Sequence, residues 1–88
     1  MKISVEISKY PLVDEYIPAI KSFIERVNQV EGLNVVTNTM STQIFGEHEL
    51  VMDTLKIEMQ RSWQQYGKAI FVCKFLGVNL DPDLKPHG

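Results

Sequence analysis

From Lys2 to Tyr10 the chain reads KISVEISKY, with Ile3, Val5 and Ile7 alternating against Ser4, Glu6 and Ser8. A period of two is what a strand with one buried face requires, and Pro11 closes the run. The period then changes. Val13, Ile17, Ile20, Ile24, Val27 and Val30 recur at threes and fours, with Phe23 widening the stripe, which predicts an amphipathic helix. Asp14 is its expected N-cap. Pro18 falls in its early part, where a missing N–H is tolerated, and Gly32 marks its exit. LNVVTNT, Leu33 to Thr39, and STQIFG, Ser41 to Gly46, predict two short strands joined by a tight connection in which Asn38 would accept a left-handed conformation.

Gly46 and Glu47 open a second helix, with Val51, Met52, Leu55, Met59, Trp63 and Tyr66 on its apolar side and Glu49, Asp53, Lys56, Gln60 and Gln64 opposite. Gly67 ends it. The segment KAIFVCKFLG, Lys68 to Gly77, is apolar on both faces: Ala69, Phe71, Cys73 and Phe75 point one way, Ile70 and Val72 the other, and Lys74 breaks the second row. Beyond Gly77, VNLDPDLKPHG has two prolines, mixed charge and no period. The sequence therefore predicts one domain over 1–77 and a C-terminal tail over 78–88, attached through Val78 and Leu80.

The order β-α-β-β-α-β defines an α+β, ferredoxin-like sandwich: a four-stranded antiparallel sheet with two helices on one face, the first and third strands central. Ile3, Val5, Ile7, Ile44 and Thr42 then face the helices. The opposite face carries Ser4, Glu6, Ser8, Ser41, Gln43 and Phe45, flanked by Ile70 and Val72. A face that mixes apolar and hydrogen-bonding groups calls for a cover in so small a domain, so the expected state is a homo-oligomer, most simply a twofold dimer through this open face.

Length limits the chain to one modest core, because 88 residues hide only about 60% of their surface on folding. A formal charge of −2 gives no electrostatic footprint for nucleic acid or an anionic membrane. The longest apolar runs fall short of the roughly 20 residues of a bilayer span, and Met1-Lys2-Ile3 leads straight into the first strand. The single cysteine, Cys73, excludes an internal disulfide and suits a reducing, cytoplasmic compartment, where it reads as a small core residue.

Thr37, Asn38, Thr39, Ser41, Thr42 and Gln43 place neutral donors and acceptors in one stretch, a chemistry matched to an uncharged heterocycle. Glu6 on the adjacent strand adds a carboxylate, and an acid beside hydroxyls and an aromatic ring, Tyr10 or Phe45, suits a cationic ring. The alternative, that these Ser and Thr residues are strand formers and turn residues, stays open.

Three stretches, ISKYPL (Ile7 to Leu12), TNTMSTQIFGEHELVM (Thr37 to Met52) and GKAIFVCK (Gly67 to Lys74), resemble the YkoF-like thiamine-binding proteins, in order and spacing over about Lys2 to Phe75. The middle stretch is the specific part. The resemblance implies a ferredoxin-like domain that binds thiamine or its hydroxymethylpyrimidine moiety without catalysis, serves thiamine salvage or transport, and works as a dimer or tetramer, with a transporter component as a further partner. It also implies ligand-facing roles for Thr37, Asn38, Thr39, Ser41 and Thr42 and a strand exit at Tyr10-Pro11. Physical chemistry adds the rest of the candidate set, Glu6, Ser8, Met40 and Gln43: Met40 or an aromatic ring would pack on the pyrimidine face, while Glu6 would take its amine or balance a thiazolium.

Other functions find little in the chain. Acylphosphatases share the topology but hold phosphate with an arginine-bearing loop after the first strand, and SKYPLVDEY has neither arginine nor glycine. His48 and His87 have no cysteine or histidine at ligand spacing, so no metal site or cofactor is expected. STQIFGE lacks the exposed aromatics and basic residues of an RNA-binding strand. The rival reading is an ACT-like or purely structural dimerisation domain without a vitamin ligand.

Overall fold

The computed structural model describes residues 1–83; positions 84–88, with His87 and the end of the expected tail, lie outside them. The alternating segment forms β1, Lys2–Pro11, followed by α1, Tyr16–Asn28, β2, Asn34–Thr37, β3, Thr42–Glu47, α2, His48–Tyr66, and β4, Ala69–Leu76. The sheet order is β2-β3-β1-β4 with every pairing antiparallel, so β1 and β3 are central as the sequence requires. Val5 pairs with Ile44 on one side and Phe75 on the other, and Val35 completes that row. Ile3, Val5, Ile7 and Ile44 meet Phe23, Val27, Val51 and Leu55 from the helices in one core. Each such side chain contributes roughly 1.5–3 kcal/mol when taken from water.

Both helices are turned from their expected orientation. The buried line of α1 is Ala19, Phe23 and Val27, while Ile20 and Ile24 flank it and Ile17 is 63% exposed. A stripe this wide exceeds what one contact surface covers, and the sheet and α2 together select its 19–23–27 line. On α2 the buried residues are Val51, Thr54, Leu55, Glu58 and Ser62. Met52 and Trp63, expected inside, are 40% and 45% exposed beside β4, where Trp63 packs edge-on to Phe71 and its indole N–H donates to the Ala69 carbonyl at 3.0 Å. The polar strip of α2 turns toward α1 because a partner lies there, Arg26, whose Nε is 3.0 Å from Glu58 Oε2; within α2 itself Arg61 Nη1 lies 3.1 Å from Glu58 Oε1.

The helix ends also differ in detail. Glu15, not Asp14, occupies the N-cap of α1 and makes no side-chain cap bond, so Pro18 is the third helical residue. Gln29 is its C-cap, and Gly32 instead turns the chain into β2 at φ +95°. Gly46 belongs to β3 and α2 begins at His48, whose N–H donates to the Met1 carbonyl at 2.9 Å.

The first part of the tail is attached to the helix-free face. Ser4 Oγ donates to the Val78 carbonyl and accepts from the Leu80 N–H, both at 2.7 Å, and Asn34 Nδ2 donates to Asp81 and Asp83 at 2.7 and 2.8 Å. Ser4, whose hydroxyl holds the tail, and Phe45, both expected to look outward on this face, are buried.

Candidate functional site

A mismatch in strand length makes the site. β1 pairs with β3 only as far as Ile7 opposite Thr42, yet it runs on to Pro11, paired there with β4 alone. Over Ser8 to Tyr10 the side of β1 that faced β3 therefore has no strand partner, and the chain turn at 38–41 stands away from it. Ile20, Phe23 and Ile24 of α1 overhang the gap. The result is a cleft of about 270 Å³ lined by these residues together with Ile7, Lys9 and the hairpin from Thr37 to Thr42.

Lys9 is the group that reading from sequence missed. It has the same parity as Ile3, Val5 and Ile7, so its side chain goes to the helix layer, and that parity was the available signal. Its ammonium donates to the Ala19 carbonyl at 2.8 Å and to Ser62 Oγ, and it lies 5.5 Å from the ring centroids of both Phe23 and Phe71. Carbonyl, hydroxyl and ring faces all favour a cation there. Burial, and secondarily the nearby Arg26 guanidinium, lower its pKa from the ordinary 10.5 to about 8.

The hairpin orders itself. Asn38 Oδ1 accepts from the N–H groups of Met40 and Ser41 at 2.8 and 3.1 Å, and the Asn38 N–H donates to the Ser41 carbonyl at 3.1 Å. Such an Asx turn needs no left-handed residue, and Asn38 takes none, contrary to expectation. Thr37 Oγ1 and Thr42 Oγ1 lie 3.1 Å apart across the hairpin, so one hydroxyl hydrogen and several lone pairs of the pair stay available.

Eight of the ten candidate residues, Ser8, Tyr10, Thr37, Asn38, Thr39, Met40, Ser41 and Thr42, line the cleft; Glu6 and Gln43 do not. Glu6 lies on the helix-free face, where Oε2 accepts from Ser41 Oγ at 2.9 Å and Oε1 is 3.5 Å from Lys74 Nζ. Gln43 Nε2 reaches Ser41 Oγ at 3.4 Å on that face. The carboxylate expected to balance a cationic ring is thus engaged elsewhere; Lys9 is the charged residue of the cleft lining, and its ammonium is turned away to Ala19 on α1 and Ser62 on α2, neither of which lines the cleft. The cleft also opens on the helix-bearing side of the sheet, not the helix-free side where the sequence placed it, because Thr37 and Thr42 share the parity of Val35 and Ile44. Among the described residues no group of three His, Cys, Asp or Glu side chains is placed to hold a metal ion, and no helix is long and apolar enough to cross a membrane.

Sheet order, helix placement and a small cleft beside a polar hairpin define a ferredoxin-like α+β domain. The chain belongs to the YKOF-related family, whose model matches residues 2–81. Among solved structures it is similar to a Streptococcus pneumoniae protein (TM-score 0.81, 23% identity, covering 91% of this chain and 90% of that one). A Thermotoga maritima protein described as a candidate for thiamine biosynthesis or salvage gives a TM-score of 0.76 at 22% identity, covering 86% and 83%. A hypothetical protein of Methanocaldococcus gives 0.76 at 20% identity, covering 94% and 87%. At these identities the structures establish the fold. No curated protein matches the chain.

Proposed function

We propose that this chain is a non-catalytic binding protein for thiamine or its hydroxymethylpyrimidine moiety, acting in cytoplasmic thiamine salvage or transport as a homo-oligomer. The observation that carries the reading is the cleft: its 270 Å³ lies just under the roughly 300–1,000 Å³ of ordinary ligand pockets, room for one small ring. Its composition fits an aminopyrimidine. Ile7, Ile20, Phe23 and Ile24 supply an apolar lining, the Thr37 and Thr42 hydroxyls supply neutral hydrogen bonding, and Met40, 85% exposed at the rim, is free to pack on a ring face. Membership of the YKOF-related family and the description of the Thermotoga relative support the vitamin class.

Oligomer formation is supported by what the tail leaves uncovered. Tyr10, Ile70 and Val72 are each about half exposed on the helix-free face, an apolar group of the kind that a second copy covers. One observation favours the rival, a structural dimerisation domain without a ligand: the hairpin satisfies much of its own hydrogen bonding.

Thermal and denaturant stability with added thiamine and with added hydroxymethylpyrimidine separates the two. At about a hundred times the dissociation constant a ligand adds ~2.7 kcal/mol. No stabilisation by either compound up to millimolar concentration sinks the vitamin reading and leaves the structural one. Light scattering on the same samples tests the oligomer independently.

A further inference from the structure

A row of polar side chains crosses the helix-free face behind the cleft. Glu6 stands opposite Gln43 of β3 and opposite Lys74 of β4, with Oε1 3.5 Å from Lys74 Nζ. Ser41 joins this row from the turn: its Oγ donates to Glu6 Oε2 at 2.9 Å and accepts from Gln43 Nε2 at 3.4 Å. Residue 41 directly precedes β3, so its side chain shares the parity of Gln43 and goes to the face opposite Thr42. It nevertheless belongs to the cleft lining. The ladder between β1 and β3 ends at Ile7 and Thr42. Beyond that pair, the Ser41–Glu6 bond is the one hydrogen bond among the described residues that ties the turn to β1, and the other bonds of the turn stay within the hairpin.

We infer that Glu6 is a positioning residue for the cleft: acting through Ser41 from the opposite face of the sheet, it holds the 38–41 turn at the distance from β1 that sets the cleft's width, and it touches no ligand itself. This rests on the vitamin reading and goes past it, since it separates the groups that meet a ligand from one that acts on them through the strand. The Glu6 carboxylate lies outside the lining, yet its Oε2 ends on a residue of that lining. A turn released from β1 spends less of its time closing the cleft, and apparent affinity falls with the share of molecules in which the site is formed, whatever the charge of the ligand. A carboxylate in contact with the ligand would leave a different signature, because its charge would favour a thiazolium over a neutral ring.

The test is calorimetric titration of thiamine and of hydroxymethylpyrimidine into the unaltered protein, Glu6→Ala, Glu6→Gln, Ser41→Ala and the Glu6→Ala/Ser41→Ala double variant, each shown to be folded by its melting transition. Glu6→Ala should weaken both ligands several-fold and by the same factor. Glu6→Gln, which keeps an acceptor for Ser41, should restore most of that affinity for both. The double variant should bind no more weakly than the weaker single variant, the non-additivity of two groups that act as one contact. A loss confined to thiamine overturns the inference in favour of direct charge contact and leaves the vitamin reading intact. Unchanged affinity for both ligands in Glu6→Ala overturns it too, as do additive losses in the double variant. If Glu6→Ala does not fold, Glu6→Gln decides: an equal, small effect on the two ligands supports the role, and a selective loss of thiamine overturns it. Failure of the unaltered protein to bind either compound removes the vitamin reading, and the inference with it.

Discussion

Ser41 Oγ lies 2.9 Å from Glu6 Oε2, so the hairpin turn at the cleft is tied to the helix-free face of the central strand. One serine thus serves both surfaces: it lines the cleft and holds the carboxylate that faces the sheet's open side. The bond is charge-assisted and half-buried, the class that contributes about 1.5–3 kcal/mol.

Ser41→Ala should loosen the turn without unfolding the domain. The expected result is weaker hydroxymethylpyrimidine binding by several-fold in calorimetry, with an unchanged molecular mass in light scattering. Glu6→Gln keeps a neutral acceptor for Ser41 while removing the charge that assists that bond and that faces Lys74, the latter an exposed pair worth ~0–1 kcal/mol. It should therefore leave the affinity for neutral hydroxymethylpyrimidine nearly intact.

Glu58 joins the helices. Its side chain is 7% exposed and faces Arg26, itself 20% exposed, and Arg61. Glu58→Ala leaves the Arg26 guanidinium buried against α2 without its counter-charge, and removal of one partner from such a pair costs about 3–5 kcal/mol. Because Arg61 is more exposed and Arg26 keeps its bond to Gln65 Oε1 at 3.1 Å, the lower end of that range is expected from urea denaturation.

Lys9 links stability to pH. Its pKa is about 8 in the folded protein and near the ordinary 10.5 once unfolded. Between those values the unfolded chain holds more protons at this site, so stability rises with pH across that window and is flat below it. The difference in unfolding free energy between the unaltered protein and Lys9→Met should show this rise from pH 8 upward. A pH-independent difference would mean that the ammonium is not held in the surroundings described.

Ser4→Ala should release the tail. Both the Val78 carbonyl and the Leu80 N–H lose their side-chain partner. Amide hydrogen exchange at Leu80 should accelerate while the β1 amides stay protected, since the ladder to β3 and β4 is untouched. Protection at Leu80 equal to that of the unaltered protein would show that the Asn34 bonds hold the segment without Ser4.

Gly46→Ala tests a close approach. A Cβ there would come within 2.5 Å of Leu33 Cδ2 and 3.2 Å of the Gly32 carbonyl oxygen. The Leu33 side chain can yield but the backbone cannot move freely, so a loss of about 1–3 kcal/mol is expected in thermal or denaturant unfolding.

The alternation of Ile3, Val5 and Ile7 and the change to helical spacing after Pro11 determined the element order and its ferredoxin-like topology, because local periodicity states which face each element must bury. The polar hairpin from Thr37 to Thr42 was legible as composition alone. Which face it served was decided by register: pairing Val5 with Ile44 and Thr37 with Thr42 sends those hydroxyls to the helix side and leaves Glu6 opposite. The cleft itself exists because β1 outruns β3 beyond Ile7, a relation between two strands that no single stretch of chain encodes. The buried contacts of Lys9, Glu58 and Ser62 were hidden for the same reason. A polar side chain is tolerated inside only when partners on other elements meet it, and only the assembled fold brings Ala19, Arg26 and the end of β1 together.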